Sequence, residues 1–206
     1  LVQGWATAST GSGTAASLDV TWGSPATTGS LLLVAANSDA TLSISGGGGG
    51  WTLAASAVNS QGAYLWYKVA AGGETSVTLT PSITDVVCGA VGEYSAVTVL
   101  DVQASNTRTS LADNIGTGTT GTTAQNVELV VCVAGPHQFA PEAPPTSPGW
   151  VIATNRAAVV SNFATGAQNA ALFVGDYVTG ATGAQSETCT WTTATTNAGG
   201  IIAAFE

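Results

Sequence analysis

One order of strand-like runs occurs twice along this chain, and that repetition restricts the fold more than any single residue does. In the first half Leu31-Leu32-Leu33-Val34 is followed by Gly50-Trp51-Thr52-Leu53, Tyr64-Leu65-Trp66-Tyr67-Lys68-Val69, Ser76-Val77-Thr78-Leu79 and Val91-Gly92-Glu93. In the second half Glu128-Leu129-Val130-Val131 leads to Gly149-Trp150-Val151-Ile152, Leu172-Phe173-Val174-Gly175-Asp176-Tyr177, Thr188-Cys189-Thr190-Trp191 and Ala203-Ala204-Phe205-Glu206. Trp51 and Trp150 are 99 positions apart, Tyr67 and Tyr177 110, Leu79 and Trp191 112, and Glu93 and Glu206 113. A slowly growing offset is what two related halves with loop insertions produce.

Period-two alternation identifies the runs as strands. Leu18, Val20 and Trp22 alternate with Asp19 and Thr21, and Val77 and Leu79 alternate with Thr78 and Thr80. The expected fold is all-β, a jelly-roll-like β-sandwich built from two related halves. Residues 1–15 are expected to form an N-terminal arm and 16–206 one domain, with half one at 16–102, a crossover at 103–126 and half two at 127–206. One domain is preferred because each half has an apolar face that it must bury on the other. Ala71-Gly72-Gly73 is expected to be a hairpin turn between Tyr64–Val69 and Thr75–Thr80, with Glu74 facing outward. The run Gly46–Gly50 lacks the Lys-Ser/Thr of a phosphate loop and is expected to be a flexible loop. Residues 153–171 are the one stretch where a short helix is expected. The proline-rich segment 135–149 is expected to be a stiff surface loop carrying the sole histidine, His137, together with Phe139.

Composition narrows the partners. Charged residues are 7% of the chain, against roughly 25% in an average domain. Only Lys68, Arg108 and Arg156 are basic, and the net charge is −9. Such a surface lacks the basic footprint for nucleic acid or anionic lipid. No apolar run reaches the roughly 18 residues of a membrane span and no signal peptide is visible. The chain opens on Leu1, as a processed product or an internal piece would. Polarity carried by Thr, Ser, Asn, Gln and Gly suits packing against copies of itself, where desolvating charge is costly, and equally suits sugar binding outside the cell.

Catalytic signatures are weak, and the chain is not expected to be an enzyme. A lone His137 without a nucleophile motif is expected to be a solvated loop residue. Glu93 and Glu206 occupy matching strand ends and would need to come close together to act as a glycosidase pair, so they are expected to be solubility charges. Calcium has weak candidates in Asn37 with Asp39, Asp85, Asp101 and Asp113, without EF-hand spacing, so no cofactor is expected. Cys88, Cys132 and Cys189 read as buried small hydrophobes, with a Cys88–Cys132 disulfide as the sharper option. Trp22, Trp51, Trp150 and Trp191 read as core. Trp66, on the phase of Tyr64 and Lys68, is the expected exposed aromatic for a sugar or a subunit contact. Trp5 is expected either to staple the arm to its own domain or to reach into a neighbour by strand addition. The expected contact residues are therefore Trp5, Tyr64, Trp66, His137 and Phe139.

The series Trp51-Thr52-Leu53, Tyr64-Leu65-Trp66-Tyr67-Lys68-Val69-Ala70, Gly73-Glu74-Thr75-Ser76-Val77-Thr78-Leu79 and Gly92-Glu93-Tyr94-Ser95 resembles β-sandwich domains of bacteriophage structural proteins, such as actinobacteriophage tail, fibre and decoration proteins. The resemblance covers about residues 16–206 and rests on strand patterns. It implies a noncatalytic virion protein, a capsid decoration (cement) or tail/fibre component binding copies of itself or other virion proteins, located in the extracellular particle. No site residue carries over from the family. The long proline-rich segment departs from its compact pattern. The alternatives are a secreted or cell-surface carbohydrate-binding module with a glycan partner, and a subunit of an extracellular filament or surface layer.

Overall fold

A computed structural model describes residues 1–59, 61–139, 145–161 and 168–206; the side chains of Gln61, Gln138, Phe139 and Gln168 lie outside this description. It is all-β, with no helix among the described residues. In the first part of the chain lie β1 (Gln3–Ser9), β2 (Leu18–Thr21), β3 (Leu31–Ser38), β4 (Leu42–Gly46), β5 (Thr52–Asn59), β6 (Gln61–Val69), β7 (Ser76–Pro81) and β8 (Val87–Tyr94). There follow β9 (Leu100–Arg108), β10 (Ala112–Thr122), β11 (Leu129–Phe139), β12 (Gly149–Trp150), β13 (Thr154–Ser161), β14 (Gln168–Val178), β15 (Ala184–Thr195) and β16 (Asn197–Phe205).

These strands form four antiparallel sheets. The first pair is β1-β8-β3-β6-β5 and β2-β7-β4, and the second is β13-β14-β11-β16-β9 and β10-β15-β12. Adding eight to each strand number of the first pair gives the second, a correspondence of strand order that says nothing of how the two sets arose. Within each pair the first strand bonds the eighth, the second the seventh and the third the sixth, the nested pairing of a rolled-up hairpin. One departure recurs: β5 and β13 extend the five-stranded sheets through β6 and β14.

The layers stack three, five, five, three. Leu31, Leu33 and Ala35 of β3 meet Val131 and Val133 of β11 and Ile201, Ala203 and Phe205 of β16 in a central core between the two five-stranded sheets. The alternate residues Leu32, Val34 and Ala36 turn the other way, onto Val20, Trp22, Val77 and Leu79 of the three-stranded sheet. Val130, Cys132, Ile202 and Ala204 do the same on the far side. Each five-stranded sheet is thus covered on both faces, so its middle strands are continuous apolar runs instead of alternating ones. β3 and β8 are buried at every residue. The central sheets also approach closely: a Cβ on Gly199 would stand 2.5 Å from the Ala57 carbonyl oxygen, and one on Gly135 2.7 Å from Asn37.

Several expectations are corrected. The residue 1–15 arm contains β1, an edge strand of its own molecule's sheet on β8. Residues 103–126, expected to be a crossover, lie largely within β9 and β10, whose Thr- and Gly-rich faces are β-compatible without large apolar side chains. β6 and β7 are not a hairpin: they lie in different sheets, and Ala71–Gly73 carries the chain between layers. Glu74 is buried. The stretch expected to hold a helix contains β13 and the start of β14, and residues 162–167 within it lie outside the described residues. β11 runs through Pro136 and His137 to Phe139, so the first part of the segment expected to be a loop is strand, and residues 140–144 lie outside the described residues.

Candidate functional site

The five expected contact residues scatter. Trp5 on β1 is half-buried; its indole N–H donates to the Tyr94 hydroxyl at 2.7 Å, and Gly92 leaves the space that its ring fills. Tyr64 and Trp66 are buried at 5% and 6% exposure, stacked at 5.1 Å between the first five- and three-stranded sheets. The expectation of an exposed Trp66 assumed one buried face. Because β6 is covered on both, Leu65 enters the central core while Tyr64 and Trp66 enter the outer one. Phe139 closes β11, and its side chain lies outside the described residues.

His137 is corrected from a solvated loop residue to a buried strand residue, paired across the ladder with Ala170 and Asn197. The Asn37 amide nitrogen donates to the carbonyls of Ala171 at 2.7 Å and Pro136 at 3.3 Å, so its oxygen is the atom facing His137 Nε2, at 2.7 Å. Nε2 therefore donates. Asp39 Oδ1 lies against the other ring nitrogen, Nδ1, without the geometry of a hydrogen bond. Burial, followed by the nearby Asp39 charge, pushes the Asp85 carboxyl upward, against the Val86 amide and His137. This cluster bolts β3 to β11 and β14 at one end of the central seam.

A second cluster bolts the other end. Tyr94 donates to Asp176 Oδ2, and Arg156 Nε donates to Asp176 Oδ1 at 2.7 Å. Burial, then the Asp176 carboxylate, pushes the Tyr94 hydroxyl well above its ordinary range. Beside this cluster opens a cavity of about 300 Å³, walled by Leu1, Val97, Val127, Leu129 and Val178 and also lined by Tyr94, Glu128, Arg156 and Asp176. This place combines an apolar concavity with converging polar groups, at a junction between packed sheets where ligand sites commonly form.

The remaining charges are structural. Lys68 lies 2.9 Å from Glu74, donates to the Gly47 carbonyl and sits 5.5 Å from the Trp51 ring centroid. Gly46–Gly50 all have φ between +55° and +78°, a left-handed run that needs glycine. Expected to be flexible, this run is tied by Lys68 and by the Trp51 indole on the Gly46 carbonyl. Glu93 is buried and accepts from the Thr27 amide and the Gln3 side chain, whereas Glu206 accepts from Gln125; the two carboxylates serve different segments. The cysteines are free, so no Cys88–Cys132 disulfide forms: Cys88 faces the central core and Cys132 the outer one. Among the described residues no three His, Cys, Asp or Glu side chains converge as metal ligands, the calcium candidates included.

Sequence reasoning missed Glu187, Glu128, Asp176 and Arg156. A signal existed for three of them: Glu187 shares the inward phase of Cys189 and Trp191, Glu128 heads an apolar run, and Asp176 interrupts one. A carboxylate at such a position is buried and bonded, or it does not fold there. No family model, curated protein or solved structure matches the chain.

Proposed function

We propose that this chain is a noncatalytic virion structural subunit, a decoration or tail/fibre component that works through protein–protein contacts in the extracellular particle. The observation supporting this reading is where the charges go. Lys68 and Arg156 are ion-paired, and Arg108 is committed to the Ser110 and Thr195 carbonyls. Glu74, Glu93, Glu128, Asp176 and Glu187 are buried. What remains outside is mostly hydroxyl, amide and backbone, with a few carboxylates (Asp19 and Asp113 exposed, Asp39, Asp85, Asp101 and Glu206 half-buried) and exposed aliphatics such as Ile83, Leu111, Val127, Val151, Ile152 and Val178. A surface of that kind is desolvated by a neighbour at low cost. Copies of the chain and other virion proteins are the partners this reading names.

Light scattering across a concentration series, with cosedimentation against purified virion shell and tail proteins, tests it. The expected result is concentration-dependent self-association or saturable binding to one virion protein. A monomer at all concentrations that binds neither overturns it. Tyr64 and Trp66, expected as exposed aromatics for a sugar or a subunit contact, are buried, so neither reading draws support from them.

A further inference from the structure

The cavity beside Tyr94 has a polar floor in which nearly every hydrogen-bonding group is already used. The Trp5 N–H is spent on Tyr94, the Tyr94 proton on Asp176 Oδ2, and Asp176 Oδ1 on Arg156 Nε. What is left over is the end of the guanidinium and one oxygen of Glu128, Oε2, which is buried without a hydrogen-bond partner. Arg156 engages Asp176 through Nε alone, and its side chain is 36% exposed, so the Nη1 and Nη2 groups stay available. A guanidinium held at Nε cannot swing freely, and two parallel Nη–H donors match the two oxygens of a carboxylate. The walls beside it are aliphatic and stand open, with Val127 and Val178 exposed at 69% and 62%.

We infer that this cavity binds a small monocarboxylate with a short apolar tail, the carboxylate on the Nη edge of Arg156 and the tail against Val97, Val127, Leu129 and Val178. Size sets the class: at roughly 30 Å³ per water-sized atom, the cavity of about 300 Å³ holds about ten non-hydrogen atoms. Charge does not forbid it. Asp176 is paired with Arg156, and burial, followed by Asp101 and Glu206, pushes the Glu128 carboxyl upward. The inference is independent of the structural-subunit reading, because the cavity lies within one copy of the chain.

The test is amide-shift titration of the whole chain with hexanoate, with 1-hexanol as the same tail lacking the charge. Hexanoate is expected to shift the amides of Tyr94–Val97 and Val127–Leu129 saturably, with Kd on the order of millimolar for a ligand this small. Hexanol is expected to bind about tenfold more weakly, or worse, through loss of charge-assisted bonds. Arg156→Gln should bring hexanoate down to the level of hexanol. Val178→Trp should fill the cavity from its exposed rim and abolish binding while leaving the Arg156–Asp176 pair intact. Equal affinity for hexanol and hexanoate, absence of shifts at these amides, or tighter binding of a peptide ending in a free Leu carboxylate overturns the inference.

Discussion

Glu187 lies on the same face of β15 as Cys189 and Trp191, yet its carboxylate is fully occupied. The amides of Val151, Ile152, Ala153 and Thr188 donate to it at 2.8–3.1 Å, fixing the turn between β12 and β13. Glu187→Ala leaves these donors without a partner and should cost about 2–4 kcal/mol in urea unfolding, from several hydrogen bonds to a charged group; Glu187→Gln, which keeps one acceptor oxygen, should cost less. Two other carboxylates respond to pH in opposite senses. Burial alone would raise Glu74, but Lys68 and the Ala71 and Gly72 amides overcome it and hold its pKa at about 2. Glu74 therefore contributes stability that is full above the ordinary carboxylate range and is lost as pH falls toward 2. Glu128 is shifted upward by burial, then by Asp101, so its contribution is present in acid and lost as pH rises through its folded value. In chemical unfolding from pH 7 down to 2, Glu74→Gln should lower stability at neutral pH and flatten the acid slope. Glu128→Gln should raise stability at neutral pH.

At the scale of the element, burial on both faces of a five-stranded sheet decides what a substitution does. Trp66→Ala is expected to cost about 3–5 kcal/mol, as removal of a buried aromatic does, instead of the near-zero effect of an exposed contact residue. Removal of residues 1–10 takes away β1 and bares the β8 edge, so circular dichroism and light scattering should show a destabilised, aggregating chain even with no partner present. The same geometry explains what the sequence could reveal. The alternation in β2 and β7 was legible because those strands lie in outer, three-stranded sheets with one wet face. In β6 the alternation separates two cores instead of core from solvent, and period two cannot tell these cases apart, so the pattern alone makes Trp66 look exposed. His137 was hidden for another reason. Proline usually breaks strands, but Pro136 sits in β11 where its ladder partner, Ala198, is on β16, and nothing local predicts that tolerance. The candidate cavity was illegible because Tyr94, Glu128, Arg156 and Asp176 come from four separate segments.

For the molecule as a whole, the central seam determines whether the two strand sets behave as one body. Its core draws Leu31, Leu33 and Leu65 from one five-stranded sheet and Val131, Leu172, Ile201 and Phe205 from the other, so neither sheet buries its inner face without its neighbour. Polar bolts close both ends, Asn37 with His137 and Asp39 at one and Tyr94 with Asp176 and Arg156 at the other. Separated sets would expose that whole apolar face, a loss far larger than the margin of a few kcal/mol on which a folded domain stands. Unfolding should therefore be one cooperative transition. Two reporters in the otherwise unchanged chain check this, the indole N–H resonance of Trp51, beside the first outer core, and that of Trp150, beside the second. Their urea midpoints should coincide within each background. Leu33→Ala, which opens a cavity in the shared core, should shift both midpoints together by the equivalent of about 2–5 kcal/mol. A Leu33→Ala shift confined to the Trp51 reporter would mean that the seam is a contact between two independently stable bodies.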